Sequence, residues 1–118
     1  MTLPRDEHLL RIFIGESDRR EGKLLFEWLV IKAREMGLGG ATVLRGIMGF
    51  GAHSRLHTFK IERLSEDLPV VVEIVDARGK IEAYLQAIDG AIPEGLATIE
   101  TVQVRWYRGA GGHGGDPV

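Results

Sequence analysis

Cysteine is absent from the 118 residues, and so is asparagine. The first absence removes disulfide frameworks, cysteine nucleophiles and thiolate metal sites together, and it fits a reducing compartment. The second removes any catalysis that needs an asparagine side-chain amide. No apolar run approaches the roughly 20 residues needed to span a bilayer. The opening residues 1–8 are polar and lack the apolar centre of a signal peptide, so the expected location is the cytoplasm. A basic surplus is missing too. Fifteen Lys and Arg face 17 Asp and Glu, for a net charge of −2 and a pI near 6.1, which argues against a general nucleic-acid role. What is present is an ordinary globular composition, 44% apolar and 27% charged, far from that of a disordered chain. A chain of 118 residues accommodates one core and no second module.

The hydrophobic pattern gives the order of elements. From His8 to Gly15 residues alternate, with Leu10, Ile12 and Ile14 on one face and Leu9, Arg11 and Phe13 on the other, the period of a strand. Asp18, with Glu21 three residues on, reads as a helix N-cap with a capping-box partner. The helix after it repeats Leu25, Trp28, Leu29 and Lys32, widened by Leu24, Ile31 and Met36, and Gly37 sits where a left-handed residue would end it. Ala41 to Met48 reads as a second strand. The segment from Phe50 to Asp67 is polar and irregular, with a weak strand pattern at Phe59 and Ile61. Pro69 then opens the β-branched run Val70 to Val75, at the strand position where a missing N–H matters least. Asp76 reads as the cap of a second helix, with Ile81, Leu85 and Ile88 on one face and Tyr84 beside them, ended by Gly90 and Pro93. Thr98 to Tyr107 is the last strand. Residues 1–108 form one domain, and the glycine-dominated 109–118 reads as a flexible tail.

The order β-α-β-loop-β-α-β predicts an α+β, ferredoxin-like βαββαβ fold, a four-stranded antiparallel sheet with both helices on one face. The other face then carries Leu9, Phe13, Val71 and Trp106 or Tyr107. It is too apolar to leave in water, so a homo-oligomer is expected.

Gly49-Phe50-Gly51, a long loop, and then Leu68-Pro69-Val70-Val71-Val72-Glu73-Ile74-Val75-Asp76 resemble the PII signalling family, where Gly-Phe-Gly begins a mobile T-loop. The resemblance is closer to a PII-like family of bacterial and archaeal proteins, through Gly46 to Gly51, Arg63 to Pro69, and Ile74-Val75-Asp76 paired with Lys80-Ile81. It covers about Leu9 to Arg108. It implies a homotrimer with an adenine nucleotide in the clefts between subunits, and a loop, 50–67, that contacts a partner such as a membrane transporter. PII proteins carry a Gly-rich phosphate loop before the last strand, but this chain reads Ala91-Ile92-Pro93-Glu94-Gly95-Leu96. Few N–H groups are freed there and Glu94 repels phosphate, so AMP or ADP is expected rather than ATP.

The nucleotide-contacting residues expected are Gly49, Phe50, Gly51, His53, Arg55, Arg105 and Arg108. Glycines flanking Phe50 let the backbone approach a ligand and let the loop hinge, although a simple turn explains them as well. Arg105 and Arg108 stand near the end of the last strand, and the planar guanidinium fork suits phosphate. His53 and His57 are four apart, a metal-ligand spacing on a helix, yet the setting is loop-like and no third ligand is near. A trimeric module that binds a metal ion or another small ligand is therefore the alternative function.

No catalytic constellation is expected, and no enzyme. Arg19 and Arg20 at the start of the first helix suggest acylphosphatase, which shares the fold but needs an asparagine that this chain lacks. RNA recognition on this fold needs aromatics on the central strands, and Val70 to Val75 has none. Ser17, Ser54 and Ser65 lack a nucleophile-elbow setting, and Glu66-Asp67 reads as a solvated turn. Trp28 and Trp106 read as core or interface residues.

Overall fold

Two alternating segments, each apolar on one face, set the centre of the sheet. The computed structural model describes residues 5–51, 57–58 and 67–109. Strand β1 spans Arg5–Gly15, and its even-numbered Leu10, Ile12 and Ile14 are buried. A short hairpin follows, β2 (Arg19–Arg20) against β3 (Lys23–Leu24), and only then helix α1 at Leu25–Glu35. Next come β4 (Thr42–Arg45), β5 (Met48–Gly49) and β6 (His57–Thr58). The chain continues through β7 (Pro69–Asp76), helix α2 (Arg78–Ile88), a 3-10 turn at Asp89–Ala91, and β8 (Leu96–Val104).

The main sheet has the order β4-β7-β1-β8, with every neighbour antiparallel. Both helices cover one face. Leu25, Leu29 and Ala33 of α1 and Ile81, Tyr84 and Ile88 of α2 join the even-numbered residues of β1 and β7 in a single core. The buried Tyr84 hydroxyl donates to the Leu29 carbonyl at 2.7 Å, tying the two helices together, and burial raises the pKa of its phenol. This is the expected ferredoxin-like βαββαβ arrangement.

Several local expectations are corrected. Asp18 does not cap a helix. Glu21 (φ 53°) and Gly22 (φ 81°) are both left-handed, which makes a two-residue hairpin turn of the primed type and delays the helix by a whole turn of chain. The Asp18 carboxylate instead accepts the Gly15 N–H at 3.0 Å, and its carbonyl accepts Leu25 N–H at 2.6 Å. Arg19 and Arg20 thus lie on the hairpin and not at a helix N-terminus. Ile31 points outward, 43% exposed. The second strand breaks after Arg45, where Gly46 N–H turns to the Pro69 carbonyl at 2.7 Å, and Met48–Gly49 pairs with His57–Thr58 to begin the loop as a separate ribbon.

Asp76 is no helix cap either, since Ala77 holds that position. The Asp76 carboxylate is buried and accepts Gly39 N–H at 2.8 Å and Ala77 N–H at 2.7 Å. It thereby fastens the α1–β4 connection to the end of β7. The last strand starts two residues earlier than expected and ends three earlier. Tyr107 leaves it, and its hydroxyl donates to the Gly39 carbonyl at 2.6 Å. Gly37 ends its helix in the left-handed region as expected (φ 78°). The strand pattern at Phe59 and Ile61, and the tail from Ala110, lie outside the described residues.

Candidate functional site

Register decides what stands where on the helix-free face. Leu44 pairs with Val71, Val71 with Phe13, and Phe13 with Leu96, so an apolar row crosses the whole sheet at one end. The next row holds Thr42, Glu73, Arg11 and Thr98. In it Arg11 bridges two carboxylates, with Nε 2.9 Å from Glu73 and a terminal nitrogen 2.6 Å from Glu100. The hydrogen bond to Glu73, then that to Glu100, raises the Arg11 pKa.

A cleft of about 490 Å³ opens at the end of the sheet that bears the apolar row. Its lining comes from four stretches far apart in sequence: Phe13 to Gly15 with Asp18, then Gly49 to Gly51, Asp67 with Pro69, and Glu94 to Leu96. Gly49, Phe50 and Gly51 thus line this cleft, and Phe50 is 73% exposed. Close approach explains two of the glycines. A Cβ on Gly49 would sit 2.9 Å from Pro69 Cγ, and one on Gly95 would sit 2.8 Å from the Phe13 carbonyl oxygen. Asp67 is not a solvated turn. It is half-buried, and its carboxylate accepts Ser17 N–H at 2.7 Å while packing over Gly15. Among the described residues the ionisable side chains lining the cleft are Asp18, Asp67 and Glu94, all acidic. Among the described residues no group of three His, Asp or Glu could hold a metal ion.

The expected arginines stand elsewhere. Leu96 pairs with Phe13 beside the cleft, whereas Val104 pairs with Arg5 at the far end of the sheet. Eight residue steps of extended chain make that roughly 27 Å. Arg105 and Arg108 follow Val104, so within one chain they do not meet Gly49, Phe50 or Gly51. At their end Arg108 stacks on Trp106, with the guanidinium carbon 4.5 Å from the ring centroid. Trp106 is 62% exposed, so it is not a core residue, whereas Trp28 packs against the core beneath Arg20. His53 and Arg55 lie outside the described residues, and His57 is described only as part of β6.

Sequence reasoning missed Phe13, Ile14, Gly15, Asp18 and Asp67 as cleft residues. Pro69, directly after Asp67 and Leu68, was the one local sign that this stretch packs closely. It could not show that Gly15 and Gly49, from two distant segments, are its neighbours.

Comparison with known proteins places the chain in a family and gives its fold relatives. Residues 7–104 match the family described as DUF190, Uncharacterized ACR, COG1993. A UPF0166 protein of Aquifex aeolicus is 45% identical over 96 residues, covering 81% of this chain and 90% of its own. A UPF0166 protein of Methanocaldococcus jannaschii is 35% identical over 102 residues, covering 86% and 92%. In fold the chain is similar to CPII, a nitrogen regulatory PII-like protein from Thiomonas intermedia K12, in a structure bound to ADP, AMP and bicarbonate. That match has a TM-score of 0.67 at 13% identity and covers 86% of this chain and 91% of CPII. The likeness to PII-like proteins thus holds at the level of the fold. No described helix is long and apolar enough to cross a membrane.

Proposed function

This chain belongs to the DUF190 family, and from that premise we propose a homotrimeric regulator that binds an adenine nucleotide, AMP or ADP in preference to ATP, in the clefts between its subunits. The loop 50–67 then meets a regulated partner, for instance a membrane transporter. The observation that carries this reading is the separation of two half-sites. The glycine-lined cleft lies at one end of the sheet, and Arg105 and Arg108 lie at the other. A ligand that needs both is held where the arginine end of one copy meets the cleft end of the next. Head-to-tail contacts of that kind close into rings when the rotation allows.

Three further features support it. The row Leu44, Val71, Phe13 and Leu96 offers apolar surface that a second copy can cover. The acidic lining Asp18, Asp67 and Glu94 disfavours each added phosphate, which favours AMP and ADP over ATP. The β5–β6 ribbon starts the loop at Met48 and Gly49, on the rim of the cleft, so a ligand there touches the base of the loop. A ligand that binds one loop conformation better than another shifts the population toward it.

Titration calorimetry with AMP, ADP and ATP, alongside light scattering, tests the proposal. AMP and ADP should bind, ATP more weakly, to a particle of three chains. Arg105→Ala should weaken AMP by about tenfold or more without changing that mass. A monomer at micromolar concentration, or no heat with any of the three nucleotides, refutes it. A divalent metal that bound tightly and lost affinity on His53→Ala would favour the metal-binding alternative.

A further inference from the structure

The end of β8 presents an exposed indole flanked by two arginines. Trp106 is 62% exposed, and Arg108 stacks on its ring with the guanidinium carbon 4.5 Å from the centroid. The segment is held in place. The Tyr107 hydroxyl donates to the Gly39 carbonyl at 2.6 Å, and the Gly39 N–H is itself held by the buried Asp76 carboxylate at 2.8 Å. Trp106 is thus the neighbour of an anchored residue.

We infer that Trp106 is the platform on which the ligand's nucleobase stacks, with Arg105 and Arg108 beside the phosphate. The inference rests on the nucleotide reading and deepens it, because it assigns the base to the arginine end of one subunit rather than to the cleft of the next. The chemistry suits a nucleoside phosphate. An aromatic face with a cation on its far side binds the π-face of a base, and guanidinium forks bind the adjoining anion. With the base and phosphate taken, the ribose hydroxyls are the groups left to reach the carboxylates of the neighbouring cleft, which act as acceptors.

The test compares AMP with ribose 5-phosphate, which keeps the anion and lacks the base, by calorimetry on the full-length chain. Trp106→Ala should weaken AMP about tenfold, the loss typical of removing one base–aromatic stack, and leave ribose 5-phosphate unchanged. Trp106→Phe should restore most of the AMP affinity. In Trp28→Phe, where Trp106 is the remaining tryptophan, AMP should quench the fluorescence and ribose 5-phosphate should not. If Trp106→Ala binds AMP like the wild type, the inference is overturned while the nucleotide reading stands. The same holds if it loses both ligands equally, since Trp106 would then only support the fold or a protein contact. A wild-type chain that binds no adenine nucleotide overturns the nucleotide reading itself and this inference with it.

Discussion

Asp76→Ala should be among the most damaging single changes outside the apolar core. The carboxylate is 2% exposed and accepts two backbone N–H groups, Gly39 at 2.8 Å and Ala77 at 2.7 Å. Hydrogen bonds to a charged group are each worth about 1.5–3 kcal/mol. The Ala77 contact joins adjacent residues and contributes little to tertiary structure, so the Gly39 bond carries most of the effect. Removing the side chain also leaves the Gly39 N–H without this acceptor and a gap beneath the α1–β4 connection. The expected net loss is about 2–4 kcal/mol, lowered somewhat by the relief of burying a charge. For a domain of this size that is a fall of about 10–25 °C in melting temperature. Asp76→Asn keeps the shape and one acceptor oxygen and should lose about half as much. Gly39 is gripped from its other side by the Tyr107 hydroxyl, so Asp76 and Tyr107 should be energetically coupled. The assay is denaturant unfolding of wild type, Asp76→Ala, Asp76→Asn, Tyr107→Phe and the double variant, all at one protein concentration because assembly shifts apparent stability. A loss below about 0.5 kcal/mol for Asp76→Ala would refute the reasoning, since variation of that size is typical of surface positions. Strict additivity with Tyr107→Phe would refute the coupling.

The other predictions concern the core and the cleft. Tyr84→Phe should cost about 1 kcal/mol near neutral pH, because it removes a buried hydrogen bond to Leu29 and little volume. Burial holds the Tyr84 phenol protonated in the folded chain at pH values where an unfolded tyrosine, with a pKa near 10, has ionised. The folded state then binds the extra proton, so stability is flat below about pH 10 and falls above it, and Tyr84→Phe should flatten that alkaline fall in denaturant midpoints. Gly95→Ala should destabilise by about 1–3 kcal/mol, because its methyl meets the Phe13 carbonyl oxygen, a backbone atom that cannot turn away. Gly40→Ala, which meets nothing within 4 Å and has no left-handed backbone, is the matched control and should be nearly neutral in the same melting experiment.

What was legible in the sequence is what neighbouring residues decide among themselves. The alternation of Leu10, Ile12 and Ile14, the β-branched run Val70 to Val75 and the 3.6-residue stripe of α1 each mark a face that must be buried. Two helices and four strands with such faces have few ways to cover one another, so the ferredoxin-like fold followed. The flanking glycines of Phe50 marked one wall of the cleft for the same local reason. Tertiary structure decided the choices left open to polar groups. Asp18 and Asp76 both have the chemistry of a helix cap, and each satisfied a different backbone N–H, one of them 37 residues away. A carboxylate binds whichever donor the packed backbone brings within reach, and a local pattern does not encode that donor. The cleft is of the same kind. Phe13, Gly49, Asp67 and Glu94 share it only because antiparallel register brings one end of β1 beside the start of β7 and of β8. The same register, running the other way, carries Arg105 and Arg108 to the opposite end of the sheet, roughly 27 Å along β8 from the cleft end at Leu96, so within one chain they do not meet the glycines that the resemblance grouped with them.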